Sequence, residues 1–316
     1  MSQSIQKNIL IIAGPTAAGK SAMAMDVAQE FKGTVINADS MQIYADLAII
    51  TARPTVEDEA CVPHLLYGAL DGADVCSAQR WRNMALEAIE QVLGEGRLPI
   101  ICGGTGMYLK TLTEGMSPIP EIPNNLRVSV RQRLEDIGSP ALHKELAEID
   151  PVMAAKLNAT DSQRVARALE VVKATGRSLA LWQTDPPVGP PPHLKFTTMA
   201  LVPPRDVLYE RCDQRFGAML KMGALEEVQK LMQRNLDASL PVMRALGVPE
   251  IMSYLKGEIS LSAAEIKACT LTRRYAKRQN TWIKNQIITK KVLNAKYSEK
   301  LRSEIFAFIC ENSLTN

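Results

Sequence analysis

Hydrophobic positions along the chain follow two rhythms. Four short apolar runs have the length of strands buried on both faces of a parallel sheet: Ile9-Leu10-Ile11-Ile12-Ala13, Thr34-Val35-Ile36-Asn37, Leu98-Pro99-Ile100-Ile101-Cys102 and residues 196–202. Between them apolar residues recur at helical spacing. Ala24, Val27, Ala28 and Phe31 follow the first run, and Trp81, Ala85, Leu86, Ile89 and Val92 stripe a helix over 77–93, capped by Ser77 and stopped by Gly94-Glu95-Gly96. This alternation predicts an α/β fold whose core is a mostly parallel sheet flanked by helices. From 125 to 182 only helical patterns appear, as in Leu126, Val130 and Leu134, and the stretch lies between proline-rich segments at 117–123 and 185–192. The expected organisation is a core over 1–117, an all-helical insertion over 118–192 and a returning core over 193–316. Helices are predicted over 205–222, 225–234, 241–255 and 262–292.

The first turn out of the first strand changes the picture most. Gly14-Pro15-Thr16-Ala17-Ala18-Gly19-Lys20-Ser21 links strand to helix and fits the pattern of a phosphate-binding loop. Its backbone N–H groups turn into one concavity, and the new helix adds its positive dipole end. Lys20 supplies a point charge for terminal phosphates, and Ser21 offers a hydroxyl to Mg²⁺. A ligand with two linked phosphates is expected here. Transfer of a γ-phosphoryl group, its hydrolysis, and loss of diphosphate from a prenyl donor all remain open at this point.

Two further strand ends carry polar loops. The second run delivers Asp39-Ser40-Met41-Gln42-Ile43-Tyr44, and Asp39 either faces the phosphate loop or caps a helix near Met41. The third ends in Gly103-Gly104-Thr105-Gly106-Met107-Tyr108, where Thr105 either meets a ligand or caps a helix. Arg53, in Thr51-Ala52-Arg53-Pro54, either reaches a phosphate or lies on the surface. Arg164 and Arg167 share a helical face and pair with Glu170 or meet a ligand. Arg211 and Arg215 also share a face. From 271 to 302 ten lysines and arginines stand against Glu299 alone, with Tyr275 and Trp282 interleaved. That pattern suits nucleic acid or a solvated basic face.

Composition adds bounds rather than direction. With 316 residues, 46% hydrophobic and 22% charged, the chain can bury a sizeable core, and a net charge of +3 implies no polyanion by its sum. Six scattered cysteines without a Cys-x-x-Cys pair suit a reducing compartment, and three distant histidines do not suggest a metal site. The polar start at 1–8 does not resemble a signal peptide, and no apolar stretch approaches membrane-spanning length. A cytoplasmic protein without a membrane partner is expected.

Several of these stretches occur together, in order, in one family. The chain resembles the bacterial-type tRNA dimethylallyltransferases, on 14–21, Asp39-Ser40-Met41-Gln42-Ile43-Tyr44, Thr51-Ala52-Arg53-Pro54 and Gly103-Gly104-Thr105-Gly106-Met107-Tyr108. The match continues through Gln163-Arg164-Val165-Ala166-Arg167-Ala168-Leu169-Glu170, Gln214-Arg215-Phe216 and Lys277-Arg278-Gln279-Asn280-Thr281-Trp282. The resemblance implies transfer of dimethylallyl from its diphosphate to N6 of adenosine 37 in tRNA, with Mg²⁺, by a monomer. It implies catalytic roles for Asp39, Thr105 and Arg215, and diphosphate binding by Gly14, Pro15, Thr16, Ala17, Ala18, Gly19, Lys20 and Ser21. Contacts to tRNA are implied for Asp39, Ser40, Met41, Gln42, Thr105 and Arg127, and for Gln163, Arg164, Val165, Ala166 and Arg167. They are likewise implied for Arg244, Gly247, Lys277, Arg278, Gln279, Asn280, Thr281, Trp282, Ile283 and Lys284. Two departures stand out: Gly247-Val248-Pro249 replaces the family's Gly-Tyr followed by a basic residue, and Ile49-Ile50-Thr51 replaces Ile-Gly-Thr. No zinc-finger extension of the eukaryotic kind follows the basic helix. The alternatives are a nucleotide kinase, a transferase acting on free adenylate, and a non-catalytic RNA-binding module.

Overall fold

The computed structural model describes residues 6–312 and Leu314; the start of the polar lead-in, residues 1–5, lies outside the described residues. The chain forms two compact units, Met1–Thr113 with Pro190–Asn316, and Glu114–Gly189. The larger unit is built on one six-stranded sheet of order β3-β2-β4-β1-β5-β6. Its strands are β1 (Lys7–Ala13), β2 (Gly33–Asn37), β3 (His64–Leu65), β4 (Leu98–Gly103), β5 (Leu194–Leu201) and β6 (Lys291–Leu293), and every pairing is parallel. The central strands are buried on both faces, which is why they read as unbroken apolar runs rather than alternating ones. Alternate side chains feed two cores. Ile9 and Ile11 point to one side, Leu10 and Ile12 to the other.

Helices cover both faces. They are α1 (Lys20–Glu30), α2 (Val56–Cys61), α3 (Ala78–Gly94) and α4 (Gly106–Thr113) before the second unit. Trp81 of α3 is fully buried, stacks on Tyr108 of α4 at 4.4 Å between ring centroids, and donates its indole N–H to Asn37 O at 2.9 Å. The aromatic pair thus supports the carboxyl end of β2.

The smaller unit holds α5 (Asn124–Ile137), α6 (Ser139–Ile149), α7 (Pro151–Ala154), α8 (Ser162–Thr175) and α9 (Leu179–Trp182) around its own core, which includes Val130, Leu142, Leu146, Val165 and Leu169. Arg177 closes its end with a two-pronged pair to Asp185 and lies 4.4 Å over the Trp182 ring.

After β5 come α10 (Arg205–Lys221), α11 (Ala224–Gln233), α12 (Val248–Leu255), α13 (Leu261–Gln286) and α14 (Arg302–Glu311). Two expectations need correction. The helix predicted over 241–255 is a 3₁₀ turn at Pro241–Arg244, a left-handed Gly247 and then α12. The helix predicted over 262–292 ends at Gln286, because Ile287 is extended and 291–293 pair with β5. No helix of the described residues is long and apolar enough to cross a membrane.

The last segment is fastened to α1. Arg302 donates two hydrogen bonds to Asp26, at 2.6 and 2.9 Å, and the Tyr297 hydroxyl donates to the same carboxylate. Burial works to raise the Asp26 pKa, but these hydrogen bonds outweigh it and hold the carboxyl below its ordinary range. A depressed carboxyl stabilises the fold above its unfolded pKa, about 3.9, and that contribution is lost as pH falls through the folded value. Asp26→Asn should therefore lower the melting temperature at pH 7, by a free energy of about 0.2–1 kcal/mol for so exposed an arginine partner. In melting curves the gap to wild type should close as pH drops below the unfolded value; a gap constant across pH 2–7 would contradict the pairing.

Candidate active site

Register brings the predicted loops to one place. Ala13 pairs with Gly103, and Asn37 with Cys102, so the phosphate loop, the Asp39 loop and the Gly104-Thr105 turn all leave the same carboxyl edge of the sheet. Gly103 is followed by a crowded corner. A Cβ on Gly104 would lie 2.3 Å from Gln279 Nε2, and one on Gly106 would lie 1.9 Å from Trp282 Cδ1. Glycine is needed at both because α13 passes directly against the turn.

The phosphate loop enters α1 through Gly19, in left-handed conformation at φ 101°. Lys20 folds back so that Nζ donates to Pro15 O at 2.9 Å, and Ser21 is exposed in the first helical turn. Two arginines of α10, one turn apart, grip the loop tip: Arg215 Nη2 donates to Thr16 Oγ1 at 2.6 Å and Arg211 Nε to Ala17 O at 2.7 Å. Burial lowers the pKa of both Lys20 and Arg215, while the Asp39 carboxylate acts on each in the opposite sense. Cys102 lies among them, its thiol pushed up to about 11 by burial, so it stays neutral near pH 7. Three cations around a concave backbone suit an anion of high charge.

Asp39 does not cap a helix. Residues 40–43 form turns before Tyr44 bridges to Leu70, and Asp39 Oδ1 accepts the Met41 N–H at 2.9 Å, while its own N–H donates to Asn37 Oδ1 at 2.8 Å. Asn37 is fully buried and also donates Nδ2 to Asp39 O and Leu66 O, both at 3.0 Å. Thr105 begins α4 through its carbonyl, but its side chain faces the other loop. Its Oγ1 accepts the Ser40 N–H at 3.0 Å, and its N–H donates to Ala38 O at 3.2 Å. The Asp39 and Thr105 loops therefore form one hydrogen-bonded unit.

The remaining predicted residues separate by exposure. On α13, Lys277, Arg278, Thr281 and Lys284 are exposed, Asn280 and Trp282 are half-buried, and Gln279 and Ile283 are buried. Arg274, Lys277, Arg278, Thr281 and Trp282 line a groove of about 590 Å³ along this helix. Gln42 is spent on the turn, donating Nε2 to Thr51 O and Ala52 O at 3.0 and 2.8 Å; Ser40 and Met41 are half-buried. Arg244 is exposed, whereas Val248 is fully buried in the core. In the smaller unit Gln163 and Arg164 are exposed, Arg127 and Arg167 are half-buried, and Val165 and Ala166 belong to the helical core. Arg167 pairs with Glu170 at 3.4 Å. Arg53 lies against Gly68 and its guanidinium faces Tyr44 O and Ala45 O. Ile50 needs no special backbone. Glu227 accepts the N–H groups of Ala48, Ile49 and Ile50 at 2.7–2.8 Å, and the left-handed residue of that turn is Ala52.

Three residues join the site without a predicted role. Arg211 shares the Arg215 face, so the four-residue spacing was its signal. Tyr275, one turn before Gln279, brings its hydroxyl near Thr105 and Gln279, although burial is the main cause that raises its pKa. Asn37 ends a strand and carried no signal.

Comparison with known proteins places the chain in a family. A family model described as IPP transferase matches residues 42–286, and one described as isopentenyl transferase matches residues 7–65. A tRNA dimethylallyltransferase of Rhodospirillum rubrum is 51% identical over 90% of this chain and 88% of its own. One of Nitrobacter hamburgensis is 54% identical over 88% of each chain. The crystal structure of the full-length tRNA isopentenylpyrophosphate transferase of Bacillus halodurans superposes with a TM-score of 0.69 at 31% identity, covering 97% of this chain and 96% of that one. A eukaryotic dimethylallyltransferase acting on tRNA gives 0.82 at 27% identity, over 97% and 80%. With relatives sharing about half their residues along most of both chains, this chain belongs to the tRNA dimethylallyltransferases of the IPP transferase family.

Proposed function

We propose that the protein transfers a dimethylallyl group from dimethylallyl diphosphate to N6 of adenosine 37 in tRNA. The observation that carries the reading is the convergence of the phosphate loop, the Asp39 loop and Thr105 on one sheet edge. In the reaction the C1–O bond of the donor breaks, its electron pair leaving with diphosphate, and a bond from N6 to C1 forms. The allylic cation is delocalised, so the chief task is to stabilise the departing charge. Loop N–H groups, Lys20 and Arg215 do this. Thr105 orients the leaving oxygen, and the Asp39 carboxylate holds the N6 amine and takes its proton. The adenine must leave the RNA stack to reach such an edge, which an unpaired loop allows.

The donor set suits a divalent cation shared with the diphosphate. Ser21 presents an exposed hydroxyl, and no cluster of three His, Cys, Asp or Glu occurs among the described residues to hold an ion alone. Mg²⁺ would be held by Ser21 and diphosphate oxygens, and would neutralise charge on the leaving group. A monomer in a reducing cytoplasm is the setting of this reading, and six free cysteines suit that compartment. Exposed Lys277, Arg278 and Lys284 on α13 receive RNA phosphates, with Gln163, Arg164 and Arg244 as further polar contacts.

Mass spectrometry of tRNA nucleosides after incubation with dimethylallyl diphosphate tests the reaction. Prenylated adenosine is expected; phosphorylated nucleotide formed with ATP, and no prenylated RNA, would favour a kinase. Neutralising Lys277, Arg278 and Lys284 together should flatten the salt dependence of tRNA binding, by about 0.7–0.9 in log–log slope for each phosphate no longer neutralised. A slope equal to wild type would make this face merely solvated.

A further inference from the structure

Helix α13 presents different chemistry on its two sides. Outside stand Lys277, Arg278, Thr281 and Lys284. Inside, Gln279 is only 5% exposed, and both ends of its amide are spent on loops of the donor site. Its Oε1 accepts the Thr16 N–H at 2.7 Å, and its Nε2 donates to Gly104 O at 2.9 Å. One turn earlier the Tyr275 hydroxyl approaches Thr105 and Gln279, and nearly one turn later Trp282 fills the space left by Gly106. One buried amide therefore bridges the phosphate loop and the turn that carries Thr105, and it rides on the most basic helix of the chain.

We infer that Gln279 is a positioning residue that couples tRNA docking on α13 to diphosphate binding in the phosphate loop. The inference rests on the reading of α13 as the RNA-docking helix. A helix transmits displacement along its length as a stiff rod, and hydrogen bonds of 2.7–2.9 Å fail with small shifts in position or angle. When RNA phosphates hold α13, Gln279 fixes the Thr16 N–H and the Gly104 carbonyl, and the loop is set in the arrangement that receives the donor. When α13 is free to shift, both groups lose their partner in a buried place, which is costly enough to distort the loop. Coupling of this kind is reciprocal, so diphosphate must tighten tRNA by the same factor that tRNA tightens diphosphate.

Two measurements test this. In wild type, amide hydrogen exchange at Thr16 should slow by about fivefold or more when tRNA is added without donor. Unchanged exchange at Thr16 with tRNA bound would overturn the inference, and this measurement needs no variant. By titration with inorganic pyrophosphate as the probe, wild-type tRNA affinity should rise by a factor within about 5–150-fold. In Gln279→Leu that factor should fall toward one, whatever the affinity of the variant for tRNA without pyrophosphate. A purely structural glutamine would lower the melting temperature and leave the factor intact, which would also overturn the inference. The Lys277, Arg278 and Lys284 variant separates the two readings. If its salt slope equals wild type, the docking helix is wrong; if the slope flattens and the pyrophosphate factor survives Gln279→Leu, only the coupling is wrong.

Discussion

Asp39→Asn should lower single-turnover prenylation by roughly 10²–10⁴-fold, the usual cost of losing a general base. The substitution is close to isosteric, and asparagine keeps an oxygen to accept the Met41 N–H that Asp39 now accepts at 2.9 Å. The turn should survive, with a melting temperature near that of wild type. Donor and tRNA affinities should move little, because the loop cations and the basic helix are untouched. Rates measured at saturating tRNA and donor, beside thermal unfolding, check this. A variant turning over near the wild-type rate would remove Asp39 from proton transfer and leave it only the role of shaping its turn.

Lys20→Ala is expected to cost about 10²–10³-fold in turnover, the range seen when one donor to a developing anion is removed. Its ammonium sits inside the loop on Pro15 O, where burial makes a cation costly to hold and Asp39 helps to hold it. A cation kept in so unfavourable a place should meet charge both in the bound donor and in the departing diphosphate. Donor KM and kcat should therefore both suffer, whereas tRNA binding without donor should keep its affinity and salt slope. Separate filter-binding and steady-state measurements distinguish these effects. Loss of tRNA affinity with donor use intact would mean that the loop serves RNA instead.

The sequence by itself determined the parts whose physics is local. Strands β1, β2, β4 and β5 were legible because burial on both faces leaves an unbroken apolar run, and α3 because its stripe and Ser77 cap lie within a few turns. The phosphate loop was legible because its chemistry is written in eight adjacent residues. Tertiary structure decided what depends on distant partners. β3 and β6 are two and three residues long, and they exist only as additions to edges formed by other segments. Thr105 read equally as a cap or a ligand group until Ser40, 65 positions away, was found to donate to its hydroxyl. Gln279 looked like one more member of a basic motif, but its partners are 263 and 175 positions away. A hydrogen bond needs two atoms within about 3 Å, and helical periodicity tells which side a residue takes but not what that side meets. Only the folded sheet brings the phosphate loop, the Gly104 turn and α13 close enough for one amide to join them.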